Sequence, residues 1–138
     1  ARRYGALIVI ERDEGLRAFV ETGVPLDARL SYDLLVNLFT PGTPLHDGAA
    51  VVQGNRIAAA SCFLPLSGRA DLSTEYGSRH RAALGIAEET DAVAVVVSEE
   101  RGAMGVAVGG QLRSNLTRRE LRDLLIELLS LGRAGVSP

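Results

Sequence analysis

Ala49-Ala50-Val51-Val52-Gln53-Gly54-Asn55-Arg56-Ile57-Ala58-Ala59-Ala60-Ser61-Cys62-Phe63-Leu64 is the stretch on which the fold class turns. Two strand-like runs, Ala49–Gln53 and Arg56–Leu64, flank Gly54-Asn55, a dipeptide suited to the positive φ angles of a two-residue hairpin. Working outward, Gly5–Ile10 is a short apolar run with β-branched residues and reads as a buried strand. Ser31 is placed to cap a helix carrying Leu34, Leu35, Leu38 and Phe39, which must stop by Thr40 because Pro41 and Gly42 follow. Ser78–Thr90 reads as a second helix with Ala82, Ala83, Ile86 and Ala87 on its inner face. Ala92–Ser98 is apolar up to Ser98, the pattern of a strand buried on both faces. Val106–Val108 and Gln111–Arg113 suggest another hairpin around Gly109-Gly110. Thr117 and Glu120 form a capping box for a last helix striped by Leu121, Leu124, Leu125 and Leu128, with Gly132 at its end. Strands interleaved with helices, one hairpin among them, predict an α/β domain: a mixed, mostly buried central sheet flanked by helices on both faces.

The chain has 138 residues, which predicts a single domain over 1–138. Hydrophobic residues make up 46% and charged ones 23%, a globular balance. The longest purely apolar run, Ala92–Val97, falls far short of the roughly 20 residues that span a bilayer. A formal charge of −2, 4% aromatic residues and no Trp argue against a nucleic-acid-binding surface. All fifteen basic residues are Arg, so reactions that depend on a Walker A, kinase-strand or Schiff-base lysine are excluded. The single Cys62 lies in an apolar run and reads as a small buried hydrophobe. HExxH, GxSxG and GxGxxG motifs do not occur. The chain opens on Ala1-Arg2-Arg3 one step before a strand, and is expected to be a domain excised from a longer protein.

Three polar clusters are candidates for chemistry. Gly77-Ser78-Arg79-His80-Arg81 places three cationic residue types in a first helical turn, with Ser78 the expected N-cap. Cations disfavour that end of the helix dipole, and a bound phosphate would resolve the conflict. The alternative is that the arginines point outward and pair with Glu75, Glu88 or Glu89. Leu45-His46-Asp47-Gly48-Ala49 puts a carboxylate at a loop-to-strand boundary, suited to Mg²⁺ or to a hydroxyl proton, or merely to an Asx turn. His46 beside it is a possible second metal ligand. Ser98-Glu99-Glu100-Arg101-Gly102 ends the most buried strand and offers metal or phosphate contacts, or a solvated turn. Phe63-Leu64-Pro65-Leu66 could wall an adenine or simply be core and edge.

Taken in order, these clusters resemble the diadenylate cyclase (DAC) domain family. Asp47-Gly48-Ala49 matches its DGA motif and Arg79-His80-Arg81 its RHR motif. The likeness extends through Gly5–Glu11, Pro44-Leu45-His46, Leu64-Pro65-Leu66-Ser67 and Val96–Glu100, and looks most like the membrane-anchored CdaA type. Ser78 stands where Thr is frequent and Phe63 where Tyr is frequent. The resemblance implies a cyclase that condenses two ATP into cyclic di-AMP and two pyrophosphates across a face-to-face homodimer, with Mg²⁺ or Mn²⁺. It implies that Asp47 binds the metal near the attacking 3′-hydroxyl, with His46 and Glu100 as further metal ligands. Gly77, Ser78, Arg79 and Arg81 would hold the triphosphate, His80 would add a hydrogen bond or charge, and Ser98 would join Glu100 beside the phosphates. Gly48 and Ala49 would border the ribose, Phe63 and Leu64 the adenine. Membrane contact would come only through segments outside this chain, with the parent protein at the cytoplasmic face of the cell membrane. The rival readings are a non-catalytic adenine-nucleotide sensor, a phosphohydrolase using His46, Asp47 and His80, and a pure interaction scaffold.

Overall fold

The computed structural model describes residues 4–72 and 76–131. The chain runs β1 (Ala6–Ile10), α1 (Arg17–Val20), β2 (Val24–Arg29), α2 (Tyr32–Phe39), β3 (Ala49–Gln53), β4 (Arg56–Cys62), α3 (Ser78–Glu89), β5 (Val93–Val97), β6 (Met104–Val108), β7 (Gln111–Leu116) and α4 (Arg118–Leu131). The strands form one sheet in the order β2-β4-β3-β1-β5-β6-β7. β1 lies parallel to β3, and every other neighbouring pair is antiparallel. The expected α/β class, the mixed sheet and both hairpins are present.

Side-chain alternation divides the core between the two faces of the sheet. Leu7, Val9, Val51, Ala94 and Val96 face Ala82, Ala83, Ile86 and Ala87 of α3. Ile8, Ala50, Val52 and Ile57 face Leu38 and Phe39 of α2, while Val93, Val95 and Val106 face the leucine stripe of α4. Helices therefore cover both faces. Ile57, Leu84 and Ile86 are fully buried, and each such side chain contributes about 1.5–3 kcal/mol.

Two elements go beyond the sequence reading. The one-turn helix α1 and the edge strand β2 fill a stretch left without structure there. Pro25 is tolerated because β2 pairs on one side only, and a bulge between Pro25 and Ala28 accommodates Asp27 at φ 49°. Several boundaries also differ, two of them beside the polar clusters. Gly77, not Ser78, is the N-cap of α3, and no side chain caps that end. Strand β4 stops at Cys62, so Phe63 and Leu64 lie beyond it. The expected helix end at Gly132 lies outside the described residues.

Register brings the polar clusters to one end of the sheet. Ala6 pairs with Val97, so the start of β1 adjoins the end of β5 and Ser98. Ile8 pairs with Ala50 in the parallel pair, and Ala49 with Cys62 across the hairpin. Gly5, Asp47-Gly48, Phe63 and Ser98 thus emerge together.

Candidate active site

A cavity of about 180 Å³ opens at this end of the sheet. Asp47, Gly48, Ser78 and Arg79 supply its polar lining, and Leu7, Phe63, Leu64 and Leu66 its apolar one. A second hollow, of about 320 Å³, shares Ser78 and Arg79 with the first and adds Gly77, His80, Ser98, Glu99 and Glu100. The structure therefore unites the three clusters that sequence places far apart.

Local backbone chemistry aims each group. Gly48 has φ 80°, and a Cβ there would stand 2.8 Å from the Cys62 carbonyl oxygen. Only glycine allows the loop to lie this close against the end of β4. Asp47, just before it, is exposed and makes no hydrogen bond or ion pair among the described residues, so the Asx-turn alternative fails. Arg79 crosses the start of β1, where a Cβ on Gly5 would meet the guanidinium at 2.5 Å. Its Nη1 lies 3.6 Å from Glu99 Oε1 rather than beside Glu88 or Glu89, and the suggested Glu75 lies outside the described residues. With no capping side chain at Gly77 and no acidic residue in its first turn, α3 presents backbone N–H groups beside Arg79 that have no partner among the described residues. That combination attracts an anion.

His80 is buried, and its ring stacks on Tyr76 with centroids 4.6 Å apart and planes 16° from parallel. Burial foremost, then the charges of Arg101 and Arg79, hold its pKa below the ordinary imidazole value. A neutral His80 can accept or donate one hydrogen bond at the second hollow but adds no charge there. Cys62 is buried and its thiol is pushed up to about 11, which leaves it unreactive.

Not every expected residue joins the cavity. Ala49 is wholly buried at the start of β3 and lines neither hollow. Arg81 also lines neither, since its Nη1 donates to the carbonyls of Ser67 and Arg69. This corrects the expectation that both arginines of the motif enter one pocket. His46 borders the loop rather than the cavity, its Nδ1 2.7 Å from the Thr43 carbonyl oxygen. A carbonyl only accepts, so Nδ1 is the donor in this contact and the neutral tautomer compatible with it has its lone pair on Nε2. Conversely, Leu66 lines the cavity as the apolar run at 63–66 suggests, whereas Leu7 and Tyr76 are not among the expected site residues. Leu7 carries no chemistry a motif would flag, and Tyr76 gains its position through the stack on His80 and a contact with Ser114.

A family model described as "DAC: DisA bacterial checkpoint controller nucleotide-binding" matches residues 1–112. The chain is 52% identical over 124 residues to the cyclic di-AMP synthase CdaA of Bacillus subtilis, covering 90% of this chain and 45% of that protein. It is 51% identical over 128 residues to a diadenylate cyclase of Listeria monocytogenes, covering 93% of this chain and 47% of that one. The chain thus spans about half the length of these curated relatives. A crystal structure of a double mutant of DacA from Staphylococcus aureus superposes with a TM-score of 0.90 at 46% identity, covering 92% of this chain and 85% of that one. A structure described as a hypothetical membrane-spanning protein from Bacillus cereus superposes with a TM-score of 0.79 at 46% identity, covering 83% and 56%. Cavity, motifs and likeness agree, and the chain belongs to the diadenylate cyclase (DAC) domain family.

Proposed function

We propose that this chain is the catalytic domain of a diadenylate cyclase that joins two ATP molecules into cyclic di-AMP and releases two pyrophosphates. The observation that carries this reading is that Asp47 and Arg79 share one cavity with the apolar walls Phe63 and Leu64. Arg79 and the free N–H groups at Ser78 hold the triphosphate, with Ser98 beside them in the second hollow. Phe63 and Leu64 take the adenine, Gly48 borders the ribose, and Asp47 faces the 3′-hydroxyl. Such a transfer needs positioning and charge neutralisation rather than a protein nucleophile.

The donor set fits Mg²⁺ or Mn²⁺ held jointly with substrate. Among the described residues no three His, Cys, Asp or Glu side chains form a metal-binding group. Cations at phosphate-transfer sites commonly take one or two carboxylates and draw their remaining oxygens from the nucleotide and water. Asp47 would hold the ion from the cavity, while His46 on the adjoining loop and Glu100 in the second hollow are further candidate ligands that form no preformed cluster with it. Once bound, the cation neutralises phosphate charge and lowers the cost of deprotonating the 3′-hydroxyl.

One cavity holds one nucleotide, so a two-fold symmetric product requires two copies facing each other. No described helix is long and apolar enough to cross a membrane. We assign the parent protein to the cytoplasmic face of the membrane, anchored by segments outside this chain, a reading supported by the membrane-spanning description of the Bacillus cereus neighbour. Incubating the purified chain with ATP and Mg²⁺ or Mn²⁺, and resolving products by chromatography, tests the reading. Cyclic di-AMP is expected, with specific activity falling on dilution. ADP or AMP as the sole product, or untouched ATP, would overturn it.

A further inference from the structure

Arg79 and Arg81 stand two positions apart on α3, and two residues turn an α-helix by about 200°. The two side chains therefore leave the helix in nearly opposite directions. The structure shows how they divide. Arg79 lines the cavity, whereas Arg81 reaches the other way, its Nη1 donating to Ser67 O at 3.3 Å and to Arg69 O at 3.1 Å. The segment it grips, residues 63–69, is neither helix nor strand, yet it carries Phe63, Leu64 and Leu66, which wall the cavity. Its backbone carbonyls must therefore find donors outside any ladder.

The same helix supplies the remaining fastenings. Ser67 N donates to Arg81 O at 2.9 Å, and the buried Ser67 hydroxyl donates to Glu88 Oε2 at 2.9 Å. Gly85 lacks a Cβ where the Pro65 carbonyl rests against the helix. Arg81, Gly85 and Glu88 thus form one line along α3 that receives the segment, with the charged donor nearest the cavity.

We propose that Arg81 is a positioning residue for the base half of the nucleotide: it straps segment 63–69 to α3 and fixes the apolar wall, leaving phosphate to Arg79. This rests on the nucleotide reading above, and two separate measurements let either fail alone. Amide hydrogen exchange of the ligand-free chain examines the strap with no nucleotide present. Losing charge-assisted bonds at Arg81→Ala should speed exchange in 64–69 about tenfold or more. Arg81→Lys should restore part of the protection, and Arg79→Ala should leave it unchanged.

Calorimetric binding of ATP, adenosine and tripolyphosphate then examines the division of labour. Arg81→Ala should weaken ATP and adenosine by the same factor, about tenfold, and spare tripolyphosphate. Arg79→Ala should weaken ATP and tripolyphosphate and spare adenosine. A general structural defect would instead weaken all three probes together. Unchanged exchange in 64–69, or tripolyphosphate lost in Arg81→Ala as in Arg79→Ala, would overturn the proposal. A wild-type chain that binds none of the probes sinks the nucleotide reading while the exchange result still judges the strap. Should Arg81→Ala fail to fold, Ser67→Ala cuts the same strap more gently and should show the same pattern at about threefold.

Discussion

At the end of the sheet away from the cavity, Asp91 accepts from the backbone N–H groups of Asp13 and Glu14 at 3.0 and 3.1 Å, and Arg12 donates to Asp91 O at 2.7 Å and Leu128 O at 3.1 Å. At the cavity end, Asp47 and the His80 ring make no hydrogen bond among the described residues, and Arg79 meets Glu99 only at 3.6 Å. The residue types match, but their partners differ. Aspartate and arginine at the far end close loops with groups the chain itself provides. At the near end Gly48 fixes the loop that carries Asp47, and Gly5 leaves room for the Arg79 guanidinium. A carboxylate without a partner, Asp47, beside a backbone position that admits only glycine, Gly48, marks the working end of this fold.

The largest test of that contrast is Asp47→Asn. Cyclic di-AMP formation should vanish in the chromatographic assay while ATP binding and melting temperature hold, and retained turnover would remove Asp47 from the mechanism. Next comes Arg79→Ala, expected to weaken ATP binding by about 1.5–3 kcal/mol in calorimetry, the range for hydrogen bonds to charged groups. An unchanged affinity would make this guanidinium surface decoration. Asp91→Ala should do the reverse, lowering urea-unfolding stability by about 1–2 kcal/mol with ATP affinity intact. The smallest effect is in pH. His80 is held below its ordinary value of 6.5 by burial first and by Arg101 and Arg79 next. As pH falls through that value the unfolded chain takes up the proton before the folded one, so stability drops. His80→Gln should flatten that part of the acid slope, and an unaltered slope would show that the imidazole is not the group responsible.

Much of this contrast can be read in sequence, and what cannot has physical reasons. The hairpin at Gly54-Asn55, the Ser31 cap and the Thr117–Glu120 capping box are encoded in adjacent residues, and each stands as expected, with Leu34 N donating to Ser31 Oγ at 3.1 Å and Glu120 N to Thr117 Oγ1 at 3.1 Å. Strand β2 escapes because Pro25 and the bulge at Asp27 break the alternation on which strand reading depends. At the site, motif order brings Asp47 and Arg79 to one cavity, but the direction of a side chain is not written in a motif. Arg81 shows this, since its guanidinium was expected at phosphate and lies on carbonyls instead. Helical phase alone separates it from Arg79, a signal present in the sequence from the start. Tyr76 has no such signal, because its role depends on the packing of His80 and on a 2.8 Å contact with Ser114.

The placement of β1 carries a consequence for how the domain assembles. It is the seam between two antiparallel triplets, β2-β4-β3 and β5-β6-β7, and no other strand touches both. Each triplet can zip from neighbours close along the chain, but the seam cannot, because Ala6 must find Val97. On a ribosome β1, the earliest of these seven strands, is therefore among the last to gain both neighbours, and the cavity end of the sheet exists only once Val97 has been synthesised.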